Sequence, residues 1–235
     1  MRTALLFMLS VFSFSALAQQ AEAIVADRPG FADGAATVGT GVFQVEAGLS
    51  VDRQGDESVT VPTLLRFGLG NRLELRIESD LVGLHDGDAD VAPIGAGVKL
   101  RLTEGAMPLS LIAKVQPPSG EGDLGTDGFE GEARLVSDID LGADFSLTPN
   151  VGFSVVEGDG ARAIFAVTLE KQLGNALPFV DVELTAGDGE TSAIADAGVA
   201  WIVGRNLQLD VSAGFDVAGD AYPEWFVAAG VSRRF

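Results

Sequence analysis

Apolar and polar side chains alternate with a period of two along most of this chain. In residues 72–80, Leu73, Leu75 and Ile77 fall on one face, and Arg72, Glu74, Arg76, Glu78 and Asp80 on the other. Residues 93–102 set Ile94, Ala96, Val98, Leu100 and Leu102 against Gly95, Gly97, Lys99 and Arg101. Residues 207–217 repeat the pattern, with Leu207, Leu209, Val211, Ala213, Phe215 and Val217 opposite Gln208, Asp210, Ser212, Gly214 and Asp216. A repeat of 180° sustained over eight or more residues describes β-strands with one apolar face, whereas a helix repeats at 3.6. Such runs predict strands at 41–51, 58–69, 72–80, 92–103, 107–116, 128–138, 143–155, 161–171, 177–186, 192–203, 206–217 and 224–235.

The predicted strands are even in number and close to the length that crosses a bilayer when tilted. Their connections sort by parity. Those after the even strands are tight (LGN, EGA, LGA, LGNA, GRN), and those after the odd strands are mostly longer and acidic, such as DRQGDE and QPPSGEGDLGT. Short turns at one end and longer loops at the other predict an all-β fold, a transmembrane antiparallel up-and-down β-barrel of about 12 strands with both termini periplasmic. Residues 41–235 form the barrel in this reading. A closed barrel leaves no edge, so the last strand pairs with the first, and Phe235 ends that strand on its lipid-facing side.

With lipid taking the apolar faces, the charged faces point into the lumen. That assigns Arg66, Arg72, Glu74, Arg76, Glu78, Lys99, Arg101, Lys114, Glu130, Glu132, Arg134, Asp144, Arg162, Glu170, Asp181, Glu183, Asp196 and Asp210 to the interior. Basic members gather on the second to fifth strands and acidic ones on the ninth to eleventh, a polarity that pores use to select solutes. The same residues would serve a barrel merely filled by paired charges. Both readings stay open at this point.

Composition narrows the function classes. The chain has no Cys and one His, which leaves no thiolate or multi-histidine metal site, and a net charge of -19 argues against nucleic acid as a partner. Arg2, an apolar run and Ala16-Leu17-Ala18 read as a signal peptide over residues 1–18, cleaved before Gln19. GEGDLG at 120–125 matches a dinucleotide fingerprint only in letters, since no helix follows it. Asp86, Asp88 and Asp90 have the opening spacing of a calcium loop, but Val91 stands where its glycine belongs. His85 has sequence neighbours but no supporting motif for a hydrolase. No catalytic, metal or cofactor assignment follows from these residues.

Residues 19–40 do not alternate, and read either as a periplasmic tail or as a segment folded into the lumen as a plug, Arg28 and Asp33 pairing lumenal charges. Here the chain resembles a known family. Asp27, Arg28, Pro29, Phe31 and Asp33, followed by Gly41, Gln44, Glu46 and Gly48, are similar to the opening of the outer-membrane transporters grouped under the label "meta-pathway of phenol degradation". Arg66, Gly68, Gly70, Leu73, Glu74 and Arg76 continue the likeness, and the chain departs from it at Gly34 and Gly39, where relatives more often carry Ser and Pro. The resemblance implies passage of small solutes, aromatic or hydrophobic compounds among them, through the outer membrane. The terminal Phe235 also resembles the signal read by the barrel-assembly machinery, with Arg233 at an outward position that usually holds an apolar residue. Outer-membrane lipids and lipopolysaccharide are the expected surroundings. The alternative reading is a closed structural or adhesive barrel whose acidic loops bind cations.

Overall fold

A computed structural model describes residues 23–85, 88–158 and 160–235. Among them, β1 (Phe43–Gln54) forms the first crossing and β2 (Asp56–Thr60) with β3 (Thr63–Gly68) the second. The third joins β4 (Leu73–Ser79) to β5 (Val82–His85), and the fourth β6 (Asp88–Val91) to β7 (Gly95–Arg101). β8 (Leu109–Gln116) is the fifth, and β9 (Glu130–Ser137) with β10 (Ile139–Gly142) the sixth. The remaining six are β11 (Phe145–Val156), β12 (Gly160–Lys171), β13 (Ala176–Gly187), β14 (Glu190–Val203), β15 (Leu207–Ala218) and β16 (Trp225–Arg234). Each neighbouring pair is antiparallel, and β16 pairs with β1 from Gln44↔Arg234 to Arg53↔Trp225, closing a twelve-crossing barrel.

The alternation explains the wall. Leu75, Ile77, Val98, Leu100, Phe153, Phe165, Val180 and Val211 are exposed on the outer face, while Glu74, Arg76, Lys99, Asp181 and Asp210 are buried inside. A strand of 12 residues, rising ~3.3 Å per residue at a tilt of ~40°, covers ~30 Å, the thickness of a hydrocarbon core. Phe235 stacks on Phe43 at the rim, with ring centroids 6.0 Å apart. The Arg233 guanidinium lies 5.8 Å from the Phe235 ring centroid, so this outward cation covers the aromatic rim rather than interrupting it.

Two of the expected acidic loops are wall. Residues 52–57 complete a hairpin at Gly55, whose φ of 81° suits a tight turn, with Gln54 opposite Asp56. β5 pairs antiparallel with β6, from Val82↔Val91 to His85↔Asp88. Alternation fails as a guide there because both faces of a strand beyond the bilayer meet water. The breaks below this extension have local causes. Pro62 has no N–H to give the ladder, although its carbonyl still accepts from Gly48 at 2.9 Å. Leu81 has a φ of 52°, and Pro93 separates β6 from β7. The β2–β5–β6 flap is braced by the connection 117–129, which bridges Glu121 to Val91 and lays Leu124 against Gly83.

Residues 23–40 contain no strand and lie inside the barrel. The segment enters beside the short turns, where Ile24 donates to the Arg205 carbonyl at 2.9 Å, and rejoins the wall where Gly41 donates to the Gly68 carbonyl at 2.8 Å. Ile24, Ala32 and Ala35 are buried, and Ala35 packs with Ile112 and Val136 from the wall.

Candidate functional site

An irregular segment buried in a lumen cannot pair its peptide groups with a neighbouring strand, so side chains have to do it. The inward faces supply them. Glu46 Oε2 accepts the N–H groups of Asp27 and Arg28 at 2.9 and 3.0 Å. Asp181 Oδ2 accepts those of Phe31 and Ala32 at 2.7 and 3.3 Å, and the Thr168 hydroxyl at 2.7 Å. Asn150, Asp138 and Glu74 accept from Asp33, Ala35 and Val38 at 2.9 Å each. Donors on the wall satisfy the segment's carbonyls: Gln44 reaches Val25 at 3.0 Å, Gln208 reaches Arg28 at 2.9 Å and Ser110 reaches Ala35 at 2.6 Å.

Charge locks the same contact. Asp27 meets Lys99 Nζ at 2.7 Å, Arg66 Nη1 at 3.3 Å and Arg76 Nη1. Arg76 also holds Asp33 at 2.7 Å. Arg66 is anchored by the barrel itself, with Glu46 and Glu74 each at 2.9 Å. These groups are almost wholly removed from solvent, where unpaired charge is costly, so each cation has at least one carboxylate in reach. On the opposite wall Arg28 reaches Asp210 at 3.1 Å. Its guanidinium lies across Gly48 and Gly230, which face each other where β1 meets β16, and a Cβ at Gly48 would stand 2.5 Å from Arg28 Nη2. Phe31 sets its ring edge-on to Phe226, with centroids 5.9 Å apart.

Above the segment, toward the flap and the longer connections, the lumen is open. One chamber of about 460 Å³ is lined by Lys114, Glu130, Glu132, Arg134, Arg162, Glu183 and Tyr222, among others. A second, of about 350 Å³, reaches from Leu124 and Thr126 down to Arg28 and Glu46, and Glu78 borders both. Within the first, Lys114 meets Glu78 at 2.7 Å, and Arg134 meets Glu132 at 2.6 Å and Glu183 at 3.0 Å. Tyr222, on the connection 219–224, donates to Glu183 Oε1 at 3.1 Å. Burial and the adjacent Glu183 carboxylate push its phenol up to about 12, so it stays a donor well into alkaline pH.

A family model described as MetA-pathway of phenol degradation matches residues 26–235. The chain belongs to this family. The match begins at residue 26, just before the Asp27–Asp33 group, so residues 26–40 of the inner segment fall within it. No curated protein matches the chain in sequence. Among solved structures, an outer membrane channel from Pseudomonas putida F1 is similar at 15% identity, covering 83% of this chain and 94% of its own, with a TM-score of 0.59. The KdgM porin gives 10% identity, 81% and 99% coverage and a TM-score of 0.60. The NanC porin gives 9%, 81% and 98%, and 0.59. At such identities the likeness is one of fold. With the family match, it makes this chain an outer-membrane β-barrel.

Of the residues expected to face the lumen, Arg66, Glu74, Arg76, Lys99 and Asp181 surround the inner segment. Glu78, Glu130, Glu132, Arg134 and Glu183 line the chamber above it, and Arg101 is half-buried on the same inner face of β7. Arg72 is a correction: it stands in the 69–72 turn, paired with Glu104 at 3.3 Å, and its side chain is 60% exposed. β4 starts at Leu73, so the alternation does not reach back to Arg72. Asp144 is likewise a turn residue, with a φ of 64°. Sequence reasoning missed Ser110, Ile112, Val136, Asp138 and Asn150 as partners of the segment. Inward parity along β8, β9 and β11 was the available signal, though Asp138 sits in the gap between β9 and β10. The departure at Gly39 also has a local cause: its φ is 90°, which proline cannot adopt. Asp86 and the expected signal peptide lie outside the described residues, so the acidic spacing at 86–90 gains no structural reading.

Proposed function

We propose that this protein is an outer-membrane channel for small solutes, stoppered from within by its own residues 23–40. One observation carries the reading: backbone groups of the segment are taken by lumenal side chains, while charged chambers stay open above it. A barrel filled only to stabilise itself has no need to leave such a vestibule on one side. The short-turn rim and both termini then face the periplasm, and solutes arrive past the flap and the 219–224 connection. Phe235 serves as the recognition point for the assembly machinery, supported by its outward place after the alternating β16. The family label brings aromatic compounds to this chain as candidate cargo, and the rings of Phe31, Phe226 and Tyr222 give them lumenal surfaces.

The test is conductance of the refolded protein in planar bilayers, with and without residues 23–40. The intact chain is expected to pass little current and the shortened one to conduct in steady steps. Silence from a shortened barrel shown to be inserted would end the channel reading and leave a closed surface protein.

A further inference from the structure

Asp27 is the most heavily engaged side chain of the inner segment. Both its oxygens are used: Lys99 Nζ lies 2.7 and 3.0 Å from them, Arg66 and Arg76 share Oδ2, and Oδ1 accepts the Gly34 N–H at 3.1 Å. The three cations stand on β3, β4 and β7, and barrel carboxylates hold the two arginines in place: Glu46 and Glu74 grip Arg66, and Glu74 touches Arg76. Arg66 and Arg76 are direct cross-strand partners, an arrangement in which like charges repel. Without the segment, the three cations keep Glu46 and Glu74 in ion-pair contact, with Asp138 near Lys99. The segment adds two carboxylates on a tether: Asp27, which meets all three cations, and Asp33, which meets Arg76 alone.

From this we infer that the Arg66–Arg76–Lys99 cradle is a carboxylate-binding site that Asp27 occupies when the lumen is closed, and that carboxylate-bearing solutes take Asp27's place and release the segment. The inference rests on the channel reading above and names its cargo class. A carboxylate matches the cradle because it offers two oxygens in one plane and the charge that offsets buried cations. A neutral alcohol or phenol offers neither. The 350 Å³ chamber reaches Glu46, the residue 2.9 Å from Arg66, but none of the three cations lines it, so a solute reaches the cradle only as the segment gives way. A tethered ligand competes at an effective concentration of about millimolar, so a free carboxylate opens the intact protein only in that range or above.

The test uses the full chain, refolded, at ionic strength balanced with chloride. Calorimetric titration with acetate and benzoate should show saturable binding to Asp27→Ala that is about tenfold or more tighter than to the natural chain, because the internal competitor is gone. Asp27→Asn gives a second, nearly isosteric variant should the alanine form fail to fold, with the same expectation. Benzoate, and not benzyl alcohol, should raise the conductance of the natural chain. Equal, weak responses of variant and natural chain, or a response that benzyl alcohol reproduces, would overturn the site. A variant that conducts without binding carboxylate removes the site and leaves the channel standing. A variant that binds benzoate yet never conducts keeps the site and removes the channel.

Discussion

Inside the barrel, single apolar residues act as spacers between charges. Ile112 lies in one cross-strand row between Lys99 and Arg134, fully buried, and keeps two cations from facing each other directly. The sequence hides this, because residues 111–113 are apolar on both faces and the inside is marked only at Ser110, Lys114 and Gln116 around them. Tyr222 is the chain's single tyrosine, which makes its environment measurable. Its phenol is moved from 10 to about 12 by burial and by Glu183, so the folded state holds a proton that the unfolded chain loses first. By linkage, stability contributed here is present below pH 10 and falls as pH rises through 12. Ultraviolet titration of phenolate should show a midpoint near 12 in the folded barrel and near 10 in denaturant. A folded midpoint at 10 would mean that the 219–224 connection stands away from Glu183.

At the scale of elements, strands and inner segment differ in how far sequence can reveal them. The crossings are written locally, because lipid on one side and charge on the other impose a repeat of two over a dozen residues. The docking of residues 23–40 is written in pairs far apart in the chain, such as Arg28 with Asp210, separated by 182 positions, and no periodicity records such a pair. The lack of alternation over 19–40 sets the segment apart from the strands, and by itself it leaves tail and plug equally open. Asp181 shows how the segment is held, since one oxygen takes two peptide N–H groups and a hydroxyl. Asp181→Ala should therefore loosen the middle of the segment without opening the wall. Hydrogen exchange followed by mass spectrometry should quicken in peptides covering 30–33 and stay unchanged across β16. Unchanged exchange at 30–33 would show that the ion pairs of Asp27 and Asp33 hold the segment by themselves.

For the molecule as a whole, strand count, polarity of the two faces and the sorting of turns were legible because a bilayer enforces each of them. The height of the wall was not. Residues 52–57 and the β5–β6 pair continue the sheet beyond the bilayer, where no lipid demands an apolar face. The excess of negative charge, -19 over the chain, is partly spent inside, where carboxylates serve as acceptors for a buried backbone. It is not simply a surface property. Charge on the lumen wall and the conformation of the segment are thus one system, and substitutions in either should be read in conductance as well as in stability.

Gly48 and Gly230 lie on opposite sides of the seam between the first and last strands, with Arg28 across both. That cleft does not exist until the two ends of the chain have found each other in register. A slip of two residues would bring Glu46 or Ser50 opposite Gly230 and fill the cleft from one side. Arg28 therefore fits its place only when the seam is in this register. Gly230→Val should leave a barrel that inserts and resists heat like its parent but leaks current, with the arginine expelled. A tight Gly230→Val barrel would mean that Arg28 does not depend on the cleft.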